Sequence, residues 1–246
     1  PDVVLKSCIE EIYLPQVDYL STSSPLISEA YKKIFPAKQP VTILNTFKID
    51  KRIQHPSIND SGAIRMFWFS QTIGINRGLE EVLIALKTLA GYSFELHLLG
   101  YLSSDMKDLL DEYRSSLKIY IHKPLPPDEI PFFASQFDIG LATENTHPYN
   151  RDICLTNKIF TYLCAGLAIV ASNTQAQAEL IKKYPATGKL YQSKDPGSLA
   201  EILLHYYANR GILNHSRQAA VDIANSELNW QNESKKFLTL IKQTLK

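Results

Sequence analysis

The chain has 246 residues, 45% of them apolar, and its 26 lysines and arginines nearly balance 25 aspartates and glutamates, for a net charge of +1. That length holds one large domain, or one domain and part of another, and a balanced charge without a basic stripe excludes a dedicated nucleic-acid binder. The three cysteines (Cys8, Cys154, Cys164) are odd in number and far apart, which fits a reducing, cytoplasmic setting and offers no metal site; no apolar run approaches the roughly 20 residues that span a bilayer, and no signal peptide precedes the first helix.

In chain order, Asp2 to Tyr13 reads as a helix, with Val4, Leu5, Cys8, Ile9 and Ile12 at helical spacing. Val17 to Thr22 reads as a strand, and Ser24-Pro25 as a cap and first-turn proline opening a helix to Phe35. Val41 to Leu44 is a further short strand. Two short strands and two helices cannot make a stable domain alone, so this part must pack on something else. Pro1 in place of an initiating methionine reads as a cut from something longer. From His55 to Gly62 the composition turns polar, which predicts a linker.

After it, strands and helices alternate. Strands are expected at Ile64–Ser70, Phe94–Leu99, Lys118–His122, Asp138–Ala142, Leu167–Ala171 and Lys189–Gln192. Helices are expected at Gly78–Ala90, Ser104–Ser115, Asp128–Gln136, 157–165, Gln175–Lys183, Pro196–Asn209, Ser216–Asn225 and Trp230–Leu245. This rhythm specifies an α/β fold, a doubly wound and mainly parallel sheet with helices on both faces, beside a partial second α/β segment. In such sheets ligands sit at the carboxyl ends of the strands.

Three stretches carry candidate chemistry. The first is Thr156 to Ser172, a short helix, a glycine stop and a buried strand. Thr156 is placed to cap the helix, Ile159, Tyr162 and Leu163 to pack inward, and Gly166 to end it in the left-handed conformation. Its polar first turn, Thr156-Asn157-Lys158, suits an anion, because free N–H groups and the helix dipole both favour negative charge; on these residues alone an ordinary capped helix beside a buried strand is the stronger reading. The second is the loop Ser70 to Glu80, where Gly74 and Gly78 free the backbone and Arg77 supplies a fork for phosphate oxygens. It is neither the dinucleotide glycine fingerprint nor a Walker loop, and a plain turn with a solvated arginine competes with it. The third is the polar loop Thr143 to Asp152, where Glu144, Arg151 and Asp152 could hold sugar hydroxyls, with a long mobile surface loop as the competing reading. The histidines have no ligand spacing, and His97, inside Phe94 to Leu99, reads as a core residue.

Together these pieces resemble the donor-binding half of a GT-B glycosyltransferase, close to glycosyltransferase family 4. Val17 to Ser23 and Val41 to Asn45 are similar to blocks near the end of that family's N-terminal domain. Asn76-Arg77-Gly78-Leu79-Glu80 is similar to the helix start of its donor domain, Leu96 to Gly100 to its apolar strand with a closing glycine, and Asp138 to Ala142 to its Ala-Asp-Val strand. Asn157 to Gly166 with Ala168 to Ser172 is the most specific block, and Trp230 resembles the Trp before the helix that crosses back to the N-terminal domain.

The resemblance implies residues 1–54 as the tail of the N-terminal (acceptor) domain, 55–62 as linker, 63–228 as the donor-binding domain and 229–246 as the returning helix. It implies a bacterial, cytoplasmic, retaining transferase that moves a hexosyl group from a nucleotide-diphosphate sugar to a glycan or lipid-linked acceptor, with no metal or other cofactor required. Any membrane contact would run through the absent domain. Arg77, Lys158 and Glu144 would be the catalytic set. Gly74, Asn76, Gly78, Gly100, Lys123, Thr156, Asn157 and Thr161 would bind the nucleotide, with the loop after His122 near the base. The family's two spaced glutamates would fall at Ile153 and Thr161, neither acidic, so Thr161 offers a ribose only a hydroxyl. A nucleotide-sugar epimerase or hydrolase of the same fold, or a non-catalytic binding module, would use the same residues.

Overall fold

The computed structural model describes residues 2–53 and 62–245, so the expected linker, apart from Gly62, and His55 lie outside the described residues. The first part runs α1 (Asp2–Tyr13), β1 (Ser21–Thr22), α2 (Pro25–Ile34) and β2 (Val41–Thr42). The second runs β3 (Ile64–Ile73), α3 (Leu79–Thr88), β4 (Phe94–Leu102), α4 (Ser104–Tyr113), β5 (Lys118–His122), α5 (Ile130–Ala134), β6 (Ile139–Ala142) and α6 (Tyr149–Ile153). It continues through α7 (Asn157–Ala165), β7 (Ala168–Ser172), α8 (Gln175–Lys183), β8 (Gly188–Tyr191), α9 (Pro196–Ala208), α10 (Arg210–Ser226) and α11 (Trp230–Thr244).

Strands β3 to β8 form one six-stranded sheet in the order β5-β4-β3-β6-β7-β8, with every neighbouring pair parallel. Helices cover both faces, so the central strands β6 and β7 are buried at every position and read as unbroken apolar runs, while the edge strand β5 keeps no fully buried residue. In β3, Met66 and Trp68 enter the core shared with Val82, Leu83 and Leu203, while Phe67 enters the opposite core with Phe137, Ile159 and Tyr162. Gly140 lets α7 lie close over β6, because a Cβ there would fall 2.2 Å from the Tyr162 ring. The Tyr162 hydroxyl donates to the Leu141 carbonyl at 3.1 Å.

Several boundaries differ from the sequence expectation. The strand expected from Val17 shrinks to Ser21–Thr22, whose pairing is limited to Val41 and Thr42 of β2. β2 stops at Thr42 because the Leu44 N–H is taken by the buried Glu233 carboxylate at 2.9 Å. Ser24 precedes Pro25 as expected but does not cap α2; its hydroxyl donates to the Ile153 carbonyl at 2.6 Å. β3 and β4 run on to Ile73 and Leu102 past a register shift between Phe69 and Thr72, so Gly100 lies inside β4. The helix expected over Asp128–Gln136 is confined to Ile130–Ala134, since a turn closed by Glu129 N–H to Pro126 O precedes it. The polar loop contains α6, and α10 begins at Arg210 rather than Ser216.

Candidate functional site at the strand switch point

Strand order reverses between β3 and β6, the point at which a parallel sheet of this kind is expected to offer a ligand crevice beyond the carboxyl ends of its strands. Two loops line it: 74–78 after β3, and 143–156 after β6. Trp68 inside β3 donates its indole N–H to the Thr143 hydroxyl at 3.0 Å, and that hydroxyl donates to the Arg77 carbonyl at 2.8 Å. Gly78 caps α3 with φ +77, and a Cβ on it would meet Thr143 Cβ at 2.7 Å. The turn therefore needs glycine for both its torsion and its proximity. Asn76 also adopts positive φ, and its carbonyl accepts from Asn145 Nδ2 at 2.8 Å and Arg151 Nη1 at 3.3 Å. The second loop is thereby laced onto the first.

Charge gathers at the start of α7. Lys158 Nζ donates to Glu144 Oε1 at 2.7 Å and lies 5.1 Å from the centre of the Trp68 ring. The two charged side chains are only 10% and 13% exposed. Thr156 stands at the cap position as expected but does not cap; its hydroxyl donates to the same Glu144 oxygen at 3.2 Å. No side-chain oxygen accepts from the first turn of α7, although the Ile159 N–H reaches the Thr156 carbonyl at 3.3 Å. Gly166 closes the helix at φ +70, as the sequence predicts. Arg77 Nη1 donates to the Ser70 hydroxyl at 3.3 Å, and among the described residues no carboxylate pairs with it.

The structure brings Asn76, Arg77, Gly78, Glu144, Thr156, Asn157 and Lys158 to this switch point, whereas Gly74 is buried against Ser103 and Thr72. Four other expected residues lie differently. Lys123 is exposed beyond β5, at the far edge of the sheet, and Gly100 is buried within β4. Thr161 is fully buried with its hydroxyl unpartnered. Asp152 accepts from the Gln175 backbone N–H at 2.9 Å and side-chain Nε2 at 2.7 Å, at the start of α8. Sequence reasoning missed Ser172 and Gln177. Ser172 Oγ accepts the Glu144 N–H at 2.9 Å, donates to the Glu144 carbonyl at 2.7 Å and accepts from Gln177 Nε2 at 2.9 Å. A hydroxyl at the carboxyl end of a central strand was the available signal. Burial pushes the Cys154 thiol and the Tyr162 phenol up, with the Glu144 charge adding to both.

No family model matches the chain, and no curated protein matches it. Solved structures do. A glycosyltransferase from Rickettsia africae ESF-5 aligns at TM-score 0.76 and 16% identity over 93% of this chain and 64% of that one. HepE from Anabaena, in complex with UDP, aligns at TM-score 0.73 and 16% identity over 92% and 64%. Sucrose-phosphate synthase from Thermosynechococcus elongatus aligns at TM-score 0.73 and 15% identity over 94% and 59%. The chain thus spans about three fifths of the length of the structures it matches. Among the described residues no helix is long and apolar enough to cross a membrane. The chain has the fold of the GT-B glycosyltransferases, its parallel six-stranded sheet and flanking helices matching a Rossmann-like half of one.

Proposed function

We propose that this chain is the donor-binding part of a retaining, family 4-like glycosyltransferase that takes a nucleotide-diphosphate sugar at the β3–β6 crevice. The observation that carries the reading is the convergence of Arg77, Lys158 and the uncapped α7 start at one strand switch point. Two cations and free N–H groups aimed at one place stabilise the charge that grows on a departing diphosphate. That chemistry needs no metal, and the acceptor would be a glycan or a lipid-linked sugar. HepE is a structure with UDP and with UDP-glucose bound, which makes UDP conjugates the first donors to try.

Residues 1–54 belong, in this reading, to a second α/β unit that would hold the acceptor. The two-stranded parallel β1–β2 sheet and the exposed Val4, Leu5, Ile9 and Ile12 of α1 support it, since parallel sheets are normally buried in larger ones. Transfer requires both reactants to be held in place. A second reading, binding without transfer, is favoured by Ile153 and Thr161, which are buried and not acidic.

The test is a thermal-shift panel with UDP, GDP, ADP, CMP and their sugar conjugates. A ligand at a hundred times its dissociation constant should add about 2.7 kcal/mol of stability. A shift with one diphosphate and its sugar conjugate is expected. No shift with any of them overturns the reading, and product analysis with the bound donor separates transfer, hydrolysis or epimerisation, and binding alone.

A further inference from the structure

Lys158 and Arg77 lie in one crevice but in different electrostatic states. Arg77 rests on a neutral hydroxyl, whereas Lys158 is held at 2.7 Å by Glu144, with both partners of the pair largely withdrawn from water. A desolvated ammonium left without its partner is costly, so whatever removes the Glu144 carboxylate must supply negative charge in its place. The pairing carboxylate is fixed from behind: Ser172 Oγ binds both the N–H and the carbonyl of Glu144. The Glu144 backbone is therefore anchored, and the side chain beyond Cα is the part free to move. Both contacts to the carboxylate, from Lys158 and from the Thr156 hydroxyl, fall on Oε1 at the start of α7, where an incoming anion would also be drawn.

We propose that Glu144 is an internal competitor anion and thereby a specificity-determining residue: a diphosphate must displace its carboxylate from Lys158, and more weakly charged groups do not. The proposal rests on the reading of the crevice as a diphosphate site. It gives Glu144 a role in selecting the ligand by charge.

The experiment is calorimetric titration of the wild-type protein, Glu144→Gln, and Glu144→Gln with Lys158→Met, using inorganic pyrophosphate, inorganic phosphate, UDP, GDP and ADP. Glu144→Gln should bind pyrophosphate at least about tenfold more tightly than wild type, the scale of one charge-assisted hydrogen bond. It should also bind phosphate, which wild type excludes, and adding Lys158→Met should cancel both gains. Unchanged or weaker pyrophosphate binding overturns the proposal, as does a gain that survives Lys158→Met, a phosphate affinity no better than wild type, or no anion binding by any of the three. If Glu144→Gln does not fold, Glu144→Ala, which also removes the carboxylate, should give the same gain for pyrophosphate, and its failure to do so counts equally against the proposal. The nucleotides test the donor reading separately. A pyrophosphate gain with no nucleoside diphosphate bound more tightly than pyrophosphate leaves the role of Glu144 standing and removes the nucleotide.

Discussion

Glu144, Lys158, Thr156 and Arg77 illustrate how far residue types alone carry a site. Their positions after β6, at the start of α7 and after β3 follow from the alternation of strands and helices. Their partners do not. Thr156 is a good cap by type, yet a carboxylate twelve residues earlier takes its hydroxyl. That outcome depends on the loop path between Glu144 and Thr156, which local propensity does not encode. Two predictions belong at this scale. Arg77→Ala should weaken binding of the nucleoside diphosphate by about 1.5–3 kcal/mol, measured by titration, and unchanged affinity would remove Arg77 from the site. Thr161→Val should gain about 1 kcal/mol in denaturant unfolding, because it deletes a buried hydroxyl that has no partner. A loss of nucleotide affinity in that variant would mean that the hydroxyl reaches the ligand after all.

Whole elements follow the sequence where burial is two-sided and depart from it where a partner sets the length. β7 is buried at all five positions and stands out as an apolar run. β1 and β2 end where their mutual pairing ends, and the first turns of α10 pass through Gly211 and Asn214, which read as breakers. The Arg210 ring contact with Tyr207, 4.6 Å from its centre, and its hydrogen bond to the Gly62 carbonyl at 2.9 Å hold that helix start. Strands β4 and β5 bring His97 Nδ1 and His122 Nε2 together at 3.0 Å beside Phe133 and Phe137. His97 is a core histidine in part, since its Nε2 has no hydrogen-bond partner and lies 3.7 Å from Glu95 Oε2. Burial, then the neighbouring His122, holds the His97 imidazole down at about 4, and burial also lowers His122.

A histidine with a lowered folded-state pKa stabilises the fold fully above its unfolded value of about 6.5. That stability is lost as pH falls from about 6.5 towards 4, because the unfolded chain then binds more protons. Urea unfolding should therefore weaken by up to about 1.4 kcal/mol per pH unit for each proton taken up. His97→Phe should reduce the slope between pH 6.5 and 5 by about one proton. An unaltered slope would assign the acid sensitivity elsewhere.

At the scale of the molecule, two regions far apart in sequence are joined by buried contacts, with Leu44 in the core beside Leu155 and Leu228. The Trp230 N–H donates to the Phe47 carbonyl at 2.9 Å, and Glu233, 2% exposed, accepts the Leu44 N–H at 2.9 Å and Lys236 Nζ at 2.6 Å. Trp230 drew notice in the sequence only through the family resemblance. The glutamate one turn later drew none, since its place on a mostly polar helix resembles a solvated position. Glu233 is the carboxylate that stops β2 and fixes where the chain leaves the β1–β2 sheet. Glu233→Ala leaves the Leu44 N–H buried without an acceptor, which should cost about 1–3 kcal/mol. The loss should be confined to the joint rather than spread through the large sheet, because β3 to β8 share none of these bonds. Hydrogen exchange should then accelerate at Leu44 and along β1–β2 while the amides of β6 and β7 keep wild-type protection. Equal acceleration in both places would mean that the first part and the six-stranded sheet unfold as one cooperative unit, with α11 as part of its core.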